Sequence, residues 1–267
     1  MDVLCEYIGN KQLRDVTPTD IKAVYVHYLG YSESTIRCAR ILFSGLFDGA
    51  MADGYINRNP CKHESAKPHK GSVETHRAID TDQRVLILST QHRLRAAVMA
   101  MLYAGLRRGE AMAIDIDRDI DFSAAIIHVR EAVRFDSNQP IITTPKTEAG
   151  ERDIPLVSIL ADELRDLYGL LLPSAQGRLC SDTAFRRAWD SYLHALSNEA
   201  HRKISIRPHD LRHSYCTMLR DTGVDLKIAM IWMGHADKDM ILKVYDHVSP
   251  SRLARSVDAL ERFCLAD

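Results

Sequence analysis

Two segments of the chain carry a cation beside a break or turn of the backbone, and at the first of them a phosphate group could approach closely. The first, Ala-Gly-Leu-Arg-Arg-Gly-Glu, ends an apolar run and holds Arg107, with Glu110 three residues later. The second, Thr-Pro-Lys-Thr-Glu-Ala-Gly-Glu-Arg, holds Lys146 beside the expected turn of a β-hairpin. Each segment therefore predicts a positively charged side chain beside a break or turn of the backbone.

Two further segments add histidine, arginine and tyrosine. In His-Asp-Leu-Arg-His the spacing places His209 and Arg212 on one face of a helix. Near the C-terminus, His235 follows a glycine and precedes Tyr245 by ten residues. A tyrosine phenol has a pKa near 10, so only about one in a thousand is ionised at neutral pH, and its attack on a phosphodiester needs help. Two guanidinium groups, Arg107 and Arg212, could stabilise the developing charge on the phosphate oxygens without a metal ion.

The four segments, in this order, resemble the signature of the tyrosine recombinase (phage integrase) family. That resemblance implies catalytic roles for Arg107, Lys146, His209, Arg212, His235 and the nucleophile Tyr245. It also implies a 3′-phosphotyrosyl intermediate that conserves the bond energy, so that no ATP, metal or other cofactor is needed. The histidines can bind the phosphate or move the tyrosyl proton, and Lys146 can protonate the leaving 5′ oxygen. Glu110 is interpreted as a group that fixes an arginine.

Other interpretations of the same residues remain open. His209 and His213 have the spacing of a zinc-binding helix, although Arg212 would place a cation beside the metal, and His213 is more simply structural. Tyr245, flanked by Ile241 and Val244, could be a core aromatic side chain.

The surrounding sequence predicts mostly helices. Thr17 and Ser32 are expected to cap two N-terminal helices, and in the second of them Leu42 and Phe43 belong to one apolar face. Further helices are expected over 81–90, 94–104, 157–171, 181–196, 209–221, 224–232 and 251–263. Short β-branched stretches at 120–132, 141–144 and 152–156 predict a small antiparallel sheet.

These elements indicate a mainly α chain with a small antiparallel β-sheet, in two domains. Residues 1–66 resemble the family's helical, SAM-like core-binding domain, incomplete at its N-terminus, residues 67–76 form a linker, and residues 77–267 resemble its catalytic domain. In the family these domains form a C-shaped clamp around DNA.

Charge raises an objection to this interpretation. The 267 residues carry 35 Lys+Arg against 36 Asp+Glu, whereas DNA-binding proteins are usually basic. A nucleic-acid enzyme therefore requires its cations to be concentrated on one face, and Arg152, Lys203 and Arg207 are predicted to contact DNA there.

A cytoplasmic protein is expected, because the longest apolar run is half the length of a membrane span, no secretory signal is visible, and six cysteines show no metal or disulfide pattern.

The expected function is site-specific recombination of double-stranded DNA by a tetramer of this chain. The resemblance also admits accessory DNA-bending or directionality factors, and the C-terminal helix is interpreted as a contact between protomers. The alternatives are a DNA-binding regulator or accessory factor on the same fold, a nicking and closing enzyme similar to type IB topoisomerases, and a zinc hydrolase.

Overall fold

A computed structural model describes residues 2–69, 78–144, 151–234, 238–246 and 257. The chain divides into two compact units, Met1–Thr75 and His76–Asp267. Each unit has its own hydrophobic core.

The first unit contains helices α1 (Asp2–Ile8), α2 (Pro18–Val26) and α3 (Glu33–Ala52), followed by two short 3-10 turns. The expected caps are present. Thr17 and Asp20 form a reciprocal capping box at the start of α2, and the Ser32 hydroxyl accepts the backbone N–H of Thr35 at the start of α3. Helix α1 was not predicted from the sequence.

Side chains from all three helices form the core of this unit, with Ile21, Phe43 and Phe47 almost fully buried. The expectation that Leu42 lies on the buried face of α3 is wrong, because Leu42 is 49% exposed and Phe47 takes the inner position. The Asn59 amide donates to the Ser44 carbonyl and the Asp48 carboxylate, which fixes the turn after α3 against that helix.

The second unit is mainly helical. Its helices are α4 (Thr81–Ser89), α5 (Arg95–Tyr103), α6 (Arg108–Ala113), α7 (Ile116–Asp119), α8 (Ser158–Leu164), α9 (Asp182–Glu199), α10 (Pro208–Asp221), α11 (Leu226–Met233) and α12 (Lys238–Tyr245). Every residue from Ala96 to Leu102 in α5 is buried, and α5 packs against α4, α6, α8 and α10. The longest apolar run of the sequence is therefore the central helix of this core. The predicted helix at 251–263 lies outside the described residues apart from position 257.

Short strands among the described residues form two separate antiparallel sheets. Strand β2 (Ile126–Val129) lies between β1 (Ile120–Asp121) and β5 (Arg152–Pro155), whereas β3 (Ala132–Asp136) pairs with β4 (Gln139–Thr143) in the second sheet. The mainly α fold class with small antiparallel sheets is confirmed. Strands β4 and β5, which flank the segment with Lys146, belong to different sheets, so these two strands do not pair as the expected hairpin. Lys146 itself lies outside the described residues.

Within the described residues, no helix combines the length and the apolar character that crossing a membrane requires.

Candidate active site

Arg107 stands at the N-cap of helix α6, directly after the buried helix α5. Its backbone N–H donates to the Glu110 carboxylate at 2.8 Å, and its guanidinium donates to the same carboxylate at 2.7 Å. Glu110 therefore caps the helix and holds the Arg107 side chain in one orientation. The Arg107 side chain is one-third exposed, whereas that of Glu110 is buried.

Arg212 lies on the inner face of α10 and is almost fully buried. Its two terminal nitrogens donate to the backbone carbonyls of Gly105, just before Arg107, and of Met233, at the end of α11. One of them also lies 3.9 Å from a Glu110 oxygen. Arg212 therefore joins three elements that are far apart in the sequence.

The start of α10 repeats the arrangement at the start of α6. The backbone N–H of Arg207 donates to Asp210 at 2.9 Å, and the Arg207 guanidinium pairs with the same carboxylate at 3.1 Å. The Arg207 side chain is 45% exposed, so the carboxylate fixes a cation that solvent and ligands can reach.

A cavity of about 410 Å³ lies where these two helix starts meet. It is lined by Arg107, Arg108, Gly109, Arg207, Pro208, His209 and Arg212. The dipole at the start of α10 adds to the positive charge of these side chains. The cavity is therefore suited to an anion such as a phosphodiester. A larger cavity of about 780 Å³, near Arg93 and Arg178, includes none of the predicted site residues.

Beneath this cavity, Arg152 forms the third arginine contact of Glu110. Its two terminal nitrogens donate to the two carboxylate oxygens at 3.0 and 2.7 Å. Burial by itself raises the pKa of Glu110, but the hydrogen bonds and charge of Arg152, with Arg212 and Arg107 nearby, lower it to about 2. Glu110 is therefore ionised at neutral pH and binds three cations.

Tyr245 ends helix α12, which packs against α10 and α11. Its side chain is buried, and its hydroxyl donates to the Val224 carbonyl at 3.0 Å. Tyr215 lies within electrostatic range of Tyr245, Arg152 and Arg212, and its burial raises its pKa. Among the described residues, those that line the arginine cavity do not include Tyr245.

The segments that form this site are matched in known proteins. The profile of the phage integrase family matches residues 74–252, which is most of the chain and includes all four predicted segments. The chain belongs to the phage integrase family. Membership places it among the site-specific DNA recombinases of the tyrosine type.

Similar proteins come from several bacteria and mobile elements. A XerC-like tyrosine recombinase of Caldanaerobacter subterraneus is 23% identical over 95% of this chain and 74% of its own length. The ICEBs1 integrase of Bacillus subtilis is also 23% identical, over 97% of this chain and 74% of its own. A putative prophage phiRv2 integrase of Mycobacterium tuberculosis is 26% identical over 91% of this chain and 66% of its own.

Solved integrase structures share the fold. The Tn1549 transposon integrase, in complex with a circular intermediate DNA, superposes with a TM-score of 0.79 at 20% identity, covering 97% of this chain and 92% of that one. A lambda integrase dimer bound to a core site gives a TM-score of 0.61 at 18% identity, covering 91% of this chain and 68% of that one.

The predicted members of this integrase's site fall into three groups. Arg107, His209 and Arg212 line one cavity together with Arg207. Lys146 and His235 lie outside the described residues, in the segments that precede β5 and follow α11. Tyr245 is placed nearby but is engaged with Val224.

Two of the predicted DNA contacts, Arg152 and Lys203, lie outside the lining of this cavity. The Arg152 side chain is only 2% exposed, and it is bound to Glu110 and to the Trp232 carbonyl. It therefore lies inside the protein and not on a DNA-facing surface. Lys203 is exposed in the loop between α9 and α10, outside the residues that line the cavity.

Arg108 lines the cavity but was not identified from the sequence. Its guanidinium lies 5.3 and 5.2 Å from the ring centres of Phe135 and Phe185 and pairs with Asp182 at 2.9 Å. The arginine doublet at 107–108 was the available signal. Arg108 reaches the cavity through its contacts with Phe135 in β3 and with Asp182 and Phe185 in α9. The sequence alone does not show that these segments lie together.

The described residues contain no group of three or more histidine, cysteine, aspartate or glutamate side chains placed to hold a metal ion. Within that part of the chain, His209 and His213 gain no third ligand, so the zinc interpretation receives no support from the structure.

Proposed function

We propose that this integrase cuts and rejoins DNA at specific sites, one strand at a time, through a covalent bond between Tyr245 and a 3′ phosphate. The observation that carries the proposal is the cavity in which Arg107, Arg212 and His209 meet at the start of α10. Arg107 and Arg212 come from segments that are about one hundred residues apart in the sequence. They are held toward one point by Glu110 and by two backbone carbonyls.

The two guanidinium groups supply the electrostatic part of the chemistry. Arg107, which is one-third exposed, can donate hydrogen bonds to the non-bridging oxygens of a phosphodiester, whose negative charge grows in the transition state. Arg212, whose terminal nitrogens also donate to two backbone carbonyls, adds its positive charge at the cavity wall. Because the protein fixes both groups in advance, little reorganisation is needed when the phosphate enters. This arrangement does not depend on a metal ion.

Proton transfer is assigned to the remaining polar groups. His209 is exposed in the cavity, where it can donate a hydrogen bond to the phosphate. By the family pattern, His235 shares that role or moves the tyrosyl proton, and Lys146 protonates the leaving 5′ oxygen. The positions of β5 and α11 support these two assignments, because Arg152 at the start of β5 and the carbonyls of Trp232 and Met233 in α11 all bind the arginine cluster.

Tyr245 must release its present hydrogen bond before it can attack. Its hydroxyl donates to the Val224 carbonyl, and the nucleophile needs that proton removed while its oxygen faces phosphorus. We therefore expect helix α12 to shift when DNA occupies the cavity.

The DNA contacts outside the cavity are assigned to exposed cations. Arg207 and Lys203 border the start of α10 and are proposed to bind flanking phosphates, which position the duplex without specifying its sequence. The first unit is proposed as the core-binding domain, with linker residues 67–76 leading to the catalytic domain. A groove in this unit supports that assignment, because Arg40, Lys62, His63 and Lys67 all line it.

Recombination of two sites requires more than one copy of the chain. We infer a tetramer on DNA, with residues 251–263 as a contact between protomers, and accessory DNA-bending or directionality proteins as further partners. The apolar stripe of Leu253, Val257, Leu260 and Phe263 is the feature of the sequence that supports a protein contact in that segment.

Covalent trapping tests the proposal even though the target site is unknown. The protein is incubated in EDTA with fragmented DNA from its source organism, denatured, and recovered with any attached DNA, whose ends are then sequenced. We expect an adduct at one recurring site, and a nicked duplex built on that site then gives cleavage without religation. Tyr245→Phe should abolish the adduct.

Tyr192→Phe is the matched control, because it removes the hydroxyl of a buried tyrosine that has no hydrogen-bond partner among the described residues. It should form the adduct normally. Specific DNA binding without an adduct would favour a regulator, and relaxation of supercoiled plasmid without exchange between sites would favour a nicking and closing enzyme. An adduct that required a divalent metal would contradict the mechanism.

A further inference from the structure

Arg152 is a buried cation that lies outside the cavity lining and binds acceptors in two other elements. It begins strand β5, and its side chain is 2% exposed. Two terminal nitrogens hold the two oxygens of Glu110 on α6, and Nε donates to the Trp232 carbonyl in α11 at 2.8 Å. One planar group therefore joins β5, α6 and α11.

The Arg152–Glu110 contact changes how much positive charge Arg107 and Arg212 can offer to a phosphate. Three guanidinium groups, those of Arg107, Arg152 and Arg212, surround one carboxylate, so the cluster carries a net positive charge equal to two arginines. Without Arg152, the buried carboxylate would be shared by Arg107 and Arg212 alone, which would cancel half of the charge that they offer to a phosphate. It would also draw both guanidiniums toward Glu110 and away from the cavity.

The geometry of the contact matters as well as its charge. The Arg152 Nε atom donates to the carbonyl of Trp232, which lies two residues before Gly234 and three before His235. A Cβ atom built on Gly234 would lie 3.7 Å from the Arg152 side chain and 3.8 Å from that of Arg107, so this turn packs directly on both arginines. A lysine presents a single ammonium group and could not hold both Glu110 oxygens and the Trp232 carbonyl in one plane.

We propose that Arg152 is a positioning residue for strand cleavage, which neutralises Glu110 so that Arg107 and Arg212 keep their charge for the phosphate, and which anchors the end of α11 that leads to His235. This inference rests on the proposed function. It replaces the expectation that Arg152 binds DNA directly.

Single-turnover cleavage of the nicked duplex, with protein in excess, tests this role. Arg152→Met keeps the aliphatic part of the side chain and is expected to slow cleavage by about a hundredfold, the usual effect of misplacing reacting groups by about an ångström. Its affinity for the duplex should change little, because Arg152 does not reach the surface. Arg118→Met is the control, since Arg118 also pairs with carboxylates, those of Asp119 and Glu131, but neither belongs to the cluster around Glu110.

The double variant Arg152→Met/Glu110→Gln separates neutralisation from simple structural support. If Arg152 acts by neutralising Glu110, removing the carboxylate charge should restore cleavage by about tenfold over Arg152→Met alone. In Arg152→Met, the rate relative to wild type should also rise as the pH is lowered, because Glu110 then binds a proton more readily. A loss that Glu110→Gln does not relieve and that is equal at every pH would overturn the proposal.

Two further outcomes would contradict it. Weaker DNA binding with a normal cleavage rate at saturation would mean a direct phosphate contact, and a wild-type rate in Arg152→Met would mean no role in positioning. If Arg152→Met does not fold, Arg152→Lys decides: we expect slower cleavage without the pH trend, because lysine keeps the charge beside Glu110 but not the planar contact, and an unchanged rate would overturn the inference. The wild-type adduct distinguishes the two proposals, because its absence would contradict the proposed function itself.

Discussion

A single carboxylate, Glu110, organises the cations of the site. It accepts hydrogen bonds from the Arg107 backbone and guanidinium and from two nitrogens of Arg152. A buried ion cluster of this kind is stable only when every member is paired, since removing one partner leaves an uncompensated charge. The residues that bind phosphate thus depend on residues that never touch it.

The arginines that face the cavity should be individually necessary for cleavage. We expect Arg107→Ala and Arg212→Ala to slow formation of the adduct by at least about a hundredfold, the usual effect of removing one transition-state donor. Arg212→Ala should also lower the melting temperature, because the Gly105 and Met233 carbonyls lose their donors. Single-turnover kinetics on the nicked duplex measures the first effect and thermal unfolding the second. A near-normal rate in either variant would reassign that arginine to structure.

The ionisation of Glu110 should also make stability depend on pH. Its pKa in the folded chain is about 2, below the ordinary value of 4.5, so its contribution is fully present above pH 4.5. That contribution is lost as the pH falls from 4.5 toward 2. Urea unfolding across this range should show a shallower pH dependence in Glu110→Gln than in wild type. An equal dependence in both proteins would mean that folding does not lower the pKa of Glu110.

At the scale of elements, the site depends on close contact between backbones. Helix α6 and strand β3 approach so closely at Gly109 that a Cβ there would lie 2.5 Å from the Val133 carbonyl oxygen. At Gly105, which has a φ of +63°, a side chain would overlap the ring of Tyr215. These glycines allow the turn that carries Arg107 to sit between β3 and α10.

Gly109→Ala should therefore separate α6 from β3 and disturb Arg107 and Arg108 together. We expect a lower melting temperature and a loss of cleavage of about tenfold or more, as for other small displacements of reacting groups. Gly49→Ala is the matched control, since Gly49 lies within α3 with nothing within 4 Å of a new Cβ. It should raise stability by about 0.5–1 kcal/mol, because alanine favours helix. Equal behaviour of the two variants would contradict the close approach of α6 and β3.

At the scale of the whole molecule, a net charge of −1 conceals a local concentration of cations. Four arginines line one cavity, while carboxylates such as Glu110 and Asp210 lie behind them as partners. DNA affinity should therefore depend on where a charge lies more than on the total, because binding releases the counterions of the phosphates contacted.

Salt dependence distinguishes position from total charge. Arg207→Ala should weaken DNA binding and reduce the slope of log affinity against log salt by about one, as expected for one lost phosphate contact. Arg165→Ala makes the same change in net charge at the end of α8, where Arg165 packs near Phe122, and should leave the slope unchanged. Equal losses in both variants would show that net charge alone governs binding.

The sequence by itself determined the family, the mainly helical fold class and the residue types of the site. It could do so because caps, apolar periodicity and short motifs such as His-Asp-Leu-Arg-His are local patterns. Arg107 and Arg212 both lie in short motifs of this kind.

Only the tertiary structure decided which partner each of those residues has. Contacts between distant segments bury Arg152 against Glu110 and place Arg108 in the cavity lining. They also pair the Tyr245 hydroxyl with the Val224 carbonyl and place β4 and β5 in different sheets. The sequence shows that a residue is a cation, but its burial and its nearest carboxylate are set by packing. Those two quantities decide whether an arginine binds DNA or holds another arginine in place.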